Sequence, residues 1–313
     1  MTDFLVIGES VADIVRTPGN PDVPHPGGSP ANVAYGLARL GRRTALLTQL
    51  GQDEAGRLIG GHLAGAGVEL LSDGQQGVAT PTAVVTLDGR GAASYDFDIG
   101  WTLRPVDVPA GPRHVHLGSI AAVRAPGAAA VLDLAARLRA TATVSYDPNM
   151  RPALLGARAG TLVQVERCVA LSDLVKASDE DLAWLYPGEP PGEVARRWLG
   201  LGPAAVFVTL GADGALAVTR AGRVTGAPVR VEVADTVGAG DAFMSAALDT
   251  MATRGLTGAA ARSALPAALD GPALARILHR AGTAAALTVA RAGANPPDTA
   301  ELAAALAVPG PVG

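Results

Sequence analysis

Short, continuous apolar runs alternate along this chain with longer stretches in which apolar residues recur every three or four positions, the pattern of parallel βαβ units. Runs at residues 4–7, 44–48, 114–118, 143–146, 174–176 and 205–209 predict strands. Helices are expected over about 30–40, 54–66, 127–138, 178–185, 192–199, 239–253 and 272–290. The layout is α/β, a doubly wound parallel sheet flanked by helices.

Two stretches break the alternation. Residues 11–26 are proline-rich and turn-like, and residues 82–101 hold two alternating runs, 83–87 and 92–97, joined by Asp88-Gly89-Arg90-Gly91. An Asp-Gly pair between such runs signals a hairpin. The expectation is a single domain over 1–313, with a small β lid formed by about 11–26 and 80–112.

Composition narrows the function. At 313 residues the chain can bury a substantial core. It is 49 % apolar, yet no stretch approaches the roughly 20 uninterrupted apolar residues of a membrane span. Its start, MTDFLVIG, runs straight into a strand pattern with no secretory signature, so a cytoplasmic address is expected. The net charge of -4 lacks a basic block, which argues against nucleic acid as a partner. Cys168, the only cysteine, excludes a disulfide framework or a cysteine-clustered metal site and reads as a buried thiol. Lys176 is the only lysine, and no Walker glycines precede it. A P-loop is therefore excluded, and any nucleoside triphosphate must be held by backbone amides, arginine or bound cations.

Residues 231–243, VEVADTVGAGDAF, read as a strand, a glycine-rich turn and a helix start. The amides of Gly238, Ala239, Gly240 and Asp241 are then unpaired donors at a helix N-terminus, an anion hole. Asp241 lies where a carboxylate can take the proton of an attacking hydroxyl; the plainer alternative is that it complements the helix dipole. Earlier, Ser29 reads as an N-cap and Pro30 as the first helical residue, so Gly27-Gly28 form a turn toward which Asn32 faces back.

The run from Asp235 to Phe243 resembles the C-terminal signature of the ribokinase-like (PfkB) carbohydrate kinases, and Gly27-Gly28-Ser29-Pro30-Ala31-Asn32-Val33-Ala34 resembles their first signature. The resemblance implies a kinase that uses ATP and Mg²⁺, with Asp241 as general base and Gly238, Ala239 and Gly240 in the anion hole. It implies sugar contacts from Asp13, Gly27, Gly28, Asn32 and Asp241. Residues 146–152, YDPNMRP, look like the D-P-N-x-R element of fructokinase-like members, which adds Asn149 and Arg151 to the sugar or transferring phosphate. The turn carrying Thr209, Gly211 and Gly214 is similar to one that lines the nucleotide, and Thr283 joins it from the adenine-side helix. Ser178 and Asp181 stand where relatives order phosphate and metal-bound water, so Ser178 is assigned to the nucleotide and Asp181 to Mg²⁺ through water. The same pair reads equally as an N-cap with an acidic partner. Asp235 and the carbonyls of Val237, Thr288, Arg291 and Gly293 are implied as a K⁺ site. Fructokinase-like members are the nearer match, and a homodimer through the lid is implied with them. Residues 95–101 lack the basic pair common in fructokinases, which leaves another sugar, a sugar acid or a nucleoside open. A non-catalytic sensor on the same fold is the reading from another class.

Overall fold

The computed structural model describes residues 2–16, 22–72, 75, 77–87, 93–106, 108 and 111–307. The chain begins with β1 (Phe4–Ile7), β2 (Val11–Arg16), β3 (Val23–Gly27), α1 (Ser29–Arg39), β4 (Thr44–Leu47), α2 (Glu54–Gly65) and β5 (Glu69–Leu71). It continues through β6 (Thr82–Leu87), β7 (Ala93–Asp98), β8 (His114–Gly118), α3 (Gly127–Leu138), β9 (Thr143–Asp147), α4 (Arg158–Leu171) and β10 (Leu174–Ser178). Then come α5 (Asp179–Leu185), α6 (Pro191–Leu199), β11 (Ala205–Thr209), β12 (Ala215–Thr219), β13 (Gly222–Gly226), α7 (Ala239–Thr253), α8 (Leu265–Ala268), α9 (Gly271–Val289) and α10 (Thr299–Ala307).

Nine strands form the large sheet in the order β13-β12-β11-β10-β9-β8-β1-β4-β5, parallel from β11 to β5 and antiparallel at β12 and β13. Its central strands are apolar on both faces because helices cover both; Phe4–Ile7 is buried throughout. One face packs Phe207, Phe243, Leu37 and Ile277, the other Trp198, Tyr146, Val165 and Leu185. Each such side chain contributes about 1.5–3 kcal/mol of burial. The direction of chain progression reverses at β1, which lies between β8 and β4, so the carboxyl ends near β1 open onto the crevice where such sheets bind ligands.

The second sheet has the order β3-β2-β6-β7. Here the proline-rich stretch is not a turn: Val11–Arg16 and Val23–Gly27 are paired antiparallel strands. Pro24 and Pro26 fit because β3 is an edge strand, where a missing N–H breaks no ladder. β6 and β7 pair antiparallel as expected, and the Asp88-Gly89-Arg90-Gly91 turn between them lies outside the described residues.

The strand expected at residue 231 does not form. Residues 227–237 run without a strand partner; among the described bonds Ala234 and Asp235 donate their N–H groups to the Val289 carbonyl and Val237 donates to the Asp235 carboxylate. With no neighbour to pair against, Val231 and Val233 stay 38 % and 63 % exposed. Cys168 is buried, and burial pushes its thiol up to about 12, which keeps it inert. Among the described residues no helix is long and apolar enough to cross a membrane.

Candidate active site

The N-termini of α1 and α7 meet at one point, although 209 residues of sequence separate the groups that touch. Asn32 Nδ2 donates to Asp241 Oδ2 at 2.9 Å, and Ser29 Oγ donates to Asp241 Oδ1 at 2.6 Å. Positions 29, 32 and 36 share one side of α1, as do 241, 245 and 249 on α7, by the three-to-four-residue spacing of a helix face. The helices can approach this closely because Gly36 has no side chain: a Cβ there would lie 2.6 Å from Ser245 Oγ. Farther along, buried Asp249 accepts from Arg42 at 2.6 Å and Arg280 at 2.7 Å, which fixes the lower end of α7.

Ser29 is not the cap the sequence suggested. The cap position is Gly28, at φ 95, with no side-chain bond, and Ser29 is already the first helical residue. Its hydroxyl is thereby free to reach Asp241, a contact that no local pattern announces.

At α7 the cap is Gly238 in the left-handed region at φ 77, packed so tightly that a Cβ would lie 2.7 Å from Ala294 Cβ. The amides of Gly238, Gly240 and Asp241 find no acceptor among the described residues, while that of Ala239 leans on Thr236 O at 3.4 Å. Three unspent N–H groups at the positive end of a 15-residue helix are an anion cradle, one fewer than expected.

The expected sugar contacts gather beside it. Asp13 stands in β2 opposite His25 and Ala83, with the bare Gly27 against its carboxylate. Burial pushes Asp13 up to about 6, with Arg151 and His25 opposing and the Asp241 charge adding to the rise. Arg151 is exposed, and its Nη1 donates to Asn149 Oδ1 at 2.7 Å. Asn149 holds φ 37, a left-handed conformation that asparagine tolerates better than most residues.

Of the residues expected to line the nucleotide, Ser178 and Thr209 are paired neighbours at the ends of β10 and β11. Gly211 and Gly214, at φ 54 and 92, carry the turn that follows. Asp181 Oδ1 accepts the Met150 amide at 2.7 Å and Oδ2 that of Ser178 at 2.9 Å, completing a capping box with Ser178. Each oxygen thus accepts one backbone amide, the contacts of the capping alternative. Thr283 is buried on α9, its hydroxyl on the His279 carbonyl, with no bond to the other nucleotide-side residues among those described.

Asp235 accepts from the amides of Val237 and Gly293 at 3.0 and 2.9 Å, joining the turn before α7 to the loop after α9. The Thr288 carbonyl takes the Arg291 amide and that of Gly293 takes Asn295. A carboxylate with backbone carbonyls is an all-oxygen donor set of the sort a hard cation prefers, and of the expected contributors Val237 and Gly293 touch Asp235 through their amides. No cluster of three or more His, Cys, Asp or Glu side chains able to hold a metal occurs among the described residues. His114 and His116 form a buried bonded row with Thr143 and Ser145 and are structural.

The pfkB family carbohydrate kinase profile matches residues 1–301. A fructokinase of Klebsiella pneumoniae is 34 % identical over 264 residues, covering 80 % of this chain and 85 % of its own. Among solved structures, the fructokinase of Xylella fastidiosa with bound ATP superposes with a TM-score of 0.84 at 27 % identity over 98 % of both chains. A double mutant of the Vibrio cholerae O395 fructokinase, bound to fructose, ADP and a potassium ion, gives 0.77 at 27 % identity over 98 % of both. With the profile matched over residues 1–301 and a relative 34 % identical over most of both chains, the chain belongs to the pfkB family of carbohydrate kinases.

Proposed function

We propose that this carbohydrate kinase transfers the γ-phosphoryl of ATP to a hydroxyl of a neutral sugar, fructose being the first candidate, with Asp241 as general base. The observation that carries the reading is the contact of Asn32 with Asp241 at 2.9 Å, which joins the expected sugar subsite to the mouth of the anion cradle.

The sugar oxygen attacks the γ-phosphorus; its O–P bond forms as the bond from that phosphorus to the β,γ-bridging oxygen breaks. Asp241 takes the hydroxyl proton and ADP leaves. Asn32 and Ser29 hold the carboxylate, so its orientation is set before the alcohol arrives. The amides of Gly238, Gly240 and Asp241 face the charge on the transferring group, with Arg151 as a second cation at the rim. Mg²⁺ would be carried on the ATP phosphates, and Asp235 with the carbonyls of Val237 and Gly293 would hold K⁺, which would offset the charge of that carboxylate. Thr209, Gly211 and Gly214 line the nucleotide. The small sheet is the lid of one domain, and Val15 and Val23, 43 % and 50 % exposed on it, suit pairing with a second copy.

A neutral polyol suits the crowding of Asp13 with Asp241, because hydroxyls donate to both while an acidic sugar meets repulsion. This gives a pH dependence. Asp13 has its folded value raised from 3.8 to about 6, so its protonation favours the folded state in acid and that contribution is lost as pH rises through 6. Sugar binding runs the other way, because the ionised form accepts the hydroxyl. The sugar KM is expected to climb below pH 6, about tenfold by pH 5. A sugar KM that stays flat between pH 5 and 7 would remove Asp13 from the subsite. The reaction itself is tested by coupled ADP release over hexoses, pentoses, sugar acids and nucleosides, with and without K⁺. Turnover confined to neutral sugars is expected; release with no sugar-dependent acceptor contradicts the proposal.

A further inference from the structure

Lys176 has no part in the scheme above, yet it lies directly behind the cradle. Its side chain is 4 % exposed and its Nζ donates to Asp147 Oδ2 at 3.0 Å; Asp147 is 0 % exposed. The two occupy neighbouring strands, one step beyond the Val175–Tyr146 pair. On its other side Lys176 meets α7: a Cβ on Gly240 would lie 2.6 Å from Nζ. Burial pulls the ammonium down, but Asp147, Asp181 and Asp241 outweigh it and keep the group charged.

Such a pair needs a reason. Taking two charges out of water costs about as much as their attraction returns, and apolar residues of the same shape are often equally stable. The pair here is also incompletely satisfied, since Asp147 Oδ1 and the nearby His116 Nε2 have no hydrogen-bond partner. His116 offers no rival charge, because burial, with His114 and Lys176 adding, holds its ring down at about 3. Asp147 further ties the ammonium to the Asn149–Arg151 loop that follows β9.

We propose that Lys176, held by Asp147, is a positioning residue for phosphoryl transfer: its ammonium stands against the Gly240 backbone and sets the cradle and Asp241 for the transferring group. It acts through the turn and rests on the reading of that turn as the phosphoryl site. A fixed charge in a water-excluded site carries far more weight than one at the surface, so its loss falls on the transfer step.

The test neutralises the pair together. Lys176→Met alone leaves Asp147 buried and unpaired and is expected to melt low. Lys176→Met with Asp147→Asn removes both charges at nearly constant shape; its melting temperature and sugar KM are expected near wild type, with kcat down about 10²-fold. AMP-PNP binding is expected to weaken about tenfold while AMP binding is unchanged. A folded double variant with wild-type kcat and AMP-PNP affinity overturns the proposal, since the pair is then only structural. Lys176→Gln, neutral but able to donate to Asp147, is the second variant; if neither neutral form folds, the pair is a requirement of the fold and the proposal is equally overturned. The two readings separate cleanly: full activity of Asp241→Asn with weakened AMP-PNP binding here removes the base and keeps Lys176, and the reverse pair of results does the opposite.

Discussion

Asp241→Asn is expected to lower kcat by about 10² to 10⁴-fold or more while the sugar KM and the melting temperature change little. The change is nearly isosteric, and Asn keeps an oxygen that accepts from Ser29 or Asn32. What it loses is the capacity to take a proton, together with one acceptor: an amide nitrogen facing Asn32 Nδ2 places two donors together. Flipping the amide moves that conflict to Ser29, whose hydroxyl can turn and accept instead. The variant is therefore expected to fold, bind sugar and remain inert, and single-turnover assays with calorimetric sugar binding separate these effects. Wild-type turnover in the variant would leave the proton without its assigned acceptor.

The second large effect is expected at Gly238→Val. The residue sits at φ 77, where a β-branched side chain is strained by about 1–2 kcal/mol. Its Cβ would also meet Ala294 at 2.7 Å, so the turn and the loop after α9 must separate. Both displacements fall on the amides proposed to face the transferring group. Loss of alignment of a single donor of this kind costs about 10²–10³ in kcat. The expected result is a kcat reduced by that factor, nucleotide affinity weakened, and sugar binding by calorimetry preserved. A variant that loses sugar binding as strongly as turnover would show the damage is global.

What could be read from the residues follows from how local the controlling physics is. The parallel strands are apolar on both faces and announce themselves, and the glycine turns before α1 and α7 carry their own chemistry in a few adjacent residues. The edge elements did not. Ala215–Thr219 and Gly222–Gly226 are antiparallel strands, but alanine and glycine give them little β signature. Helix α4 buries Thr161, Val165, Cys168 and Val169, a stripe half made of residues that read as neutral, and no side chain caps its start. The valines at 229, 231 and 233 alternate like a strand yet pair with nothing, because strand formation requires a neighbour that the sequence pattern does not supply.

The site shows the same division. The positions of Asp241, Asn32 and Gly238, on which the proposal rests, are legible because each belongs to a turn or helix start with its own local pattern. Ser29 and Lys176 are not, since what matters about each is a partner 212 or 29 residues away. In the sequence Lys176 stands out only as the single lysine, without the glycines of a P-loop before it. Its pairing with Asp147 depends on the sheet register between β9 and β10, which no local pattern encodes.

Phosphorus-31 NMR of the protein with ATP, Mg²⁺ and fructose tests the account most directly. One phosphomonoester resonance is expected to grow in step with ADP, in wild type and not in Asp241→Asn. Growth of inorganic phosphate in its place, or a sugar phosphate formed equally by both proteins, would contradict it.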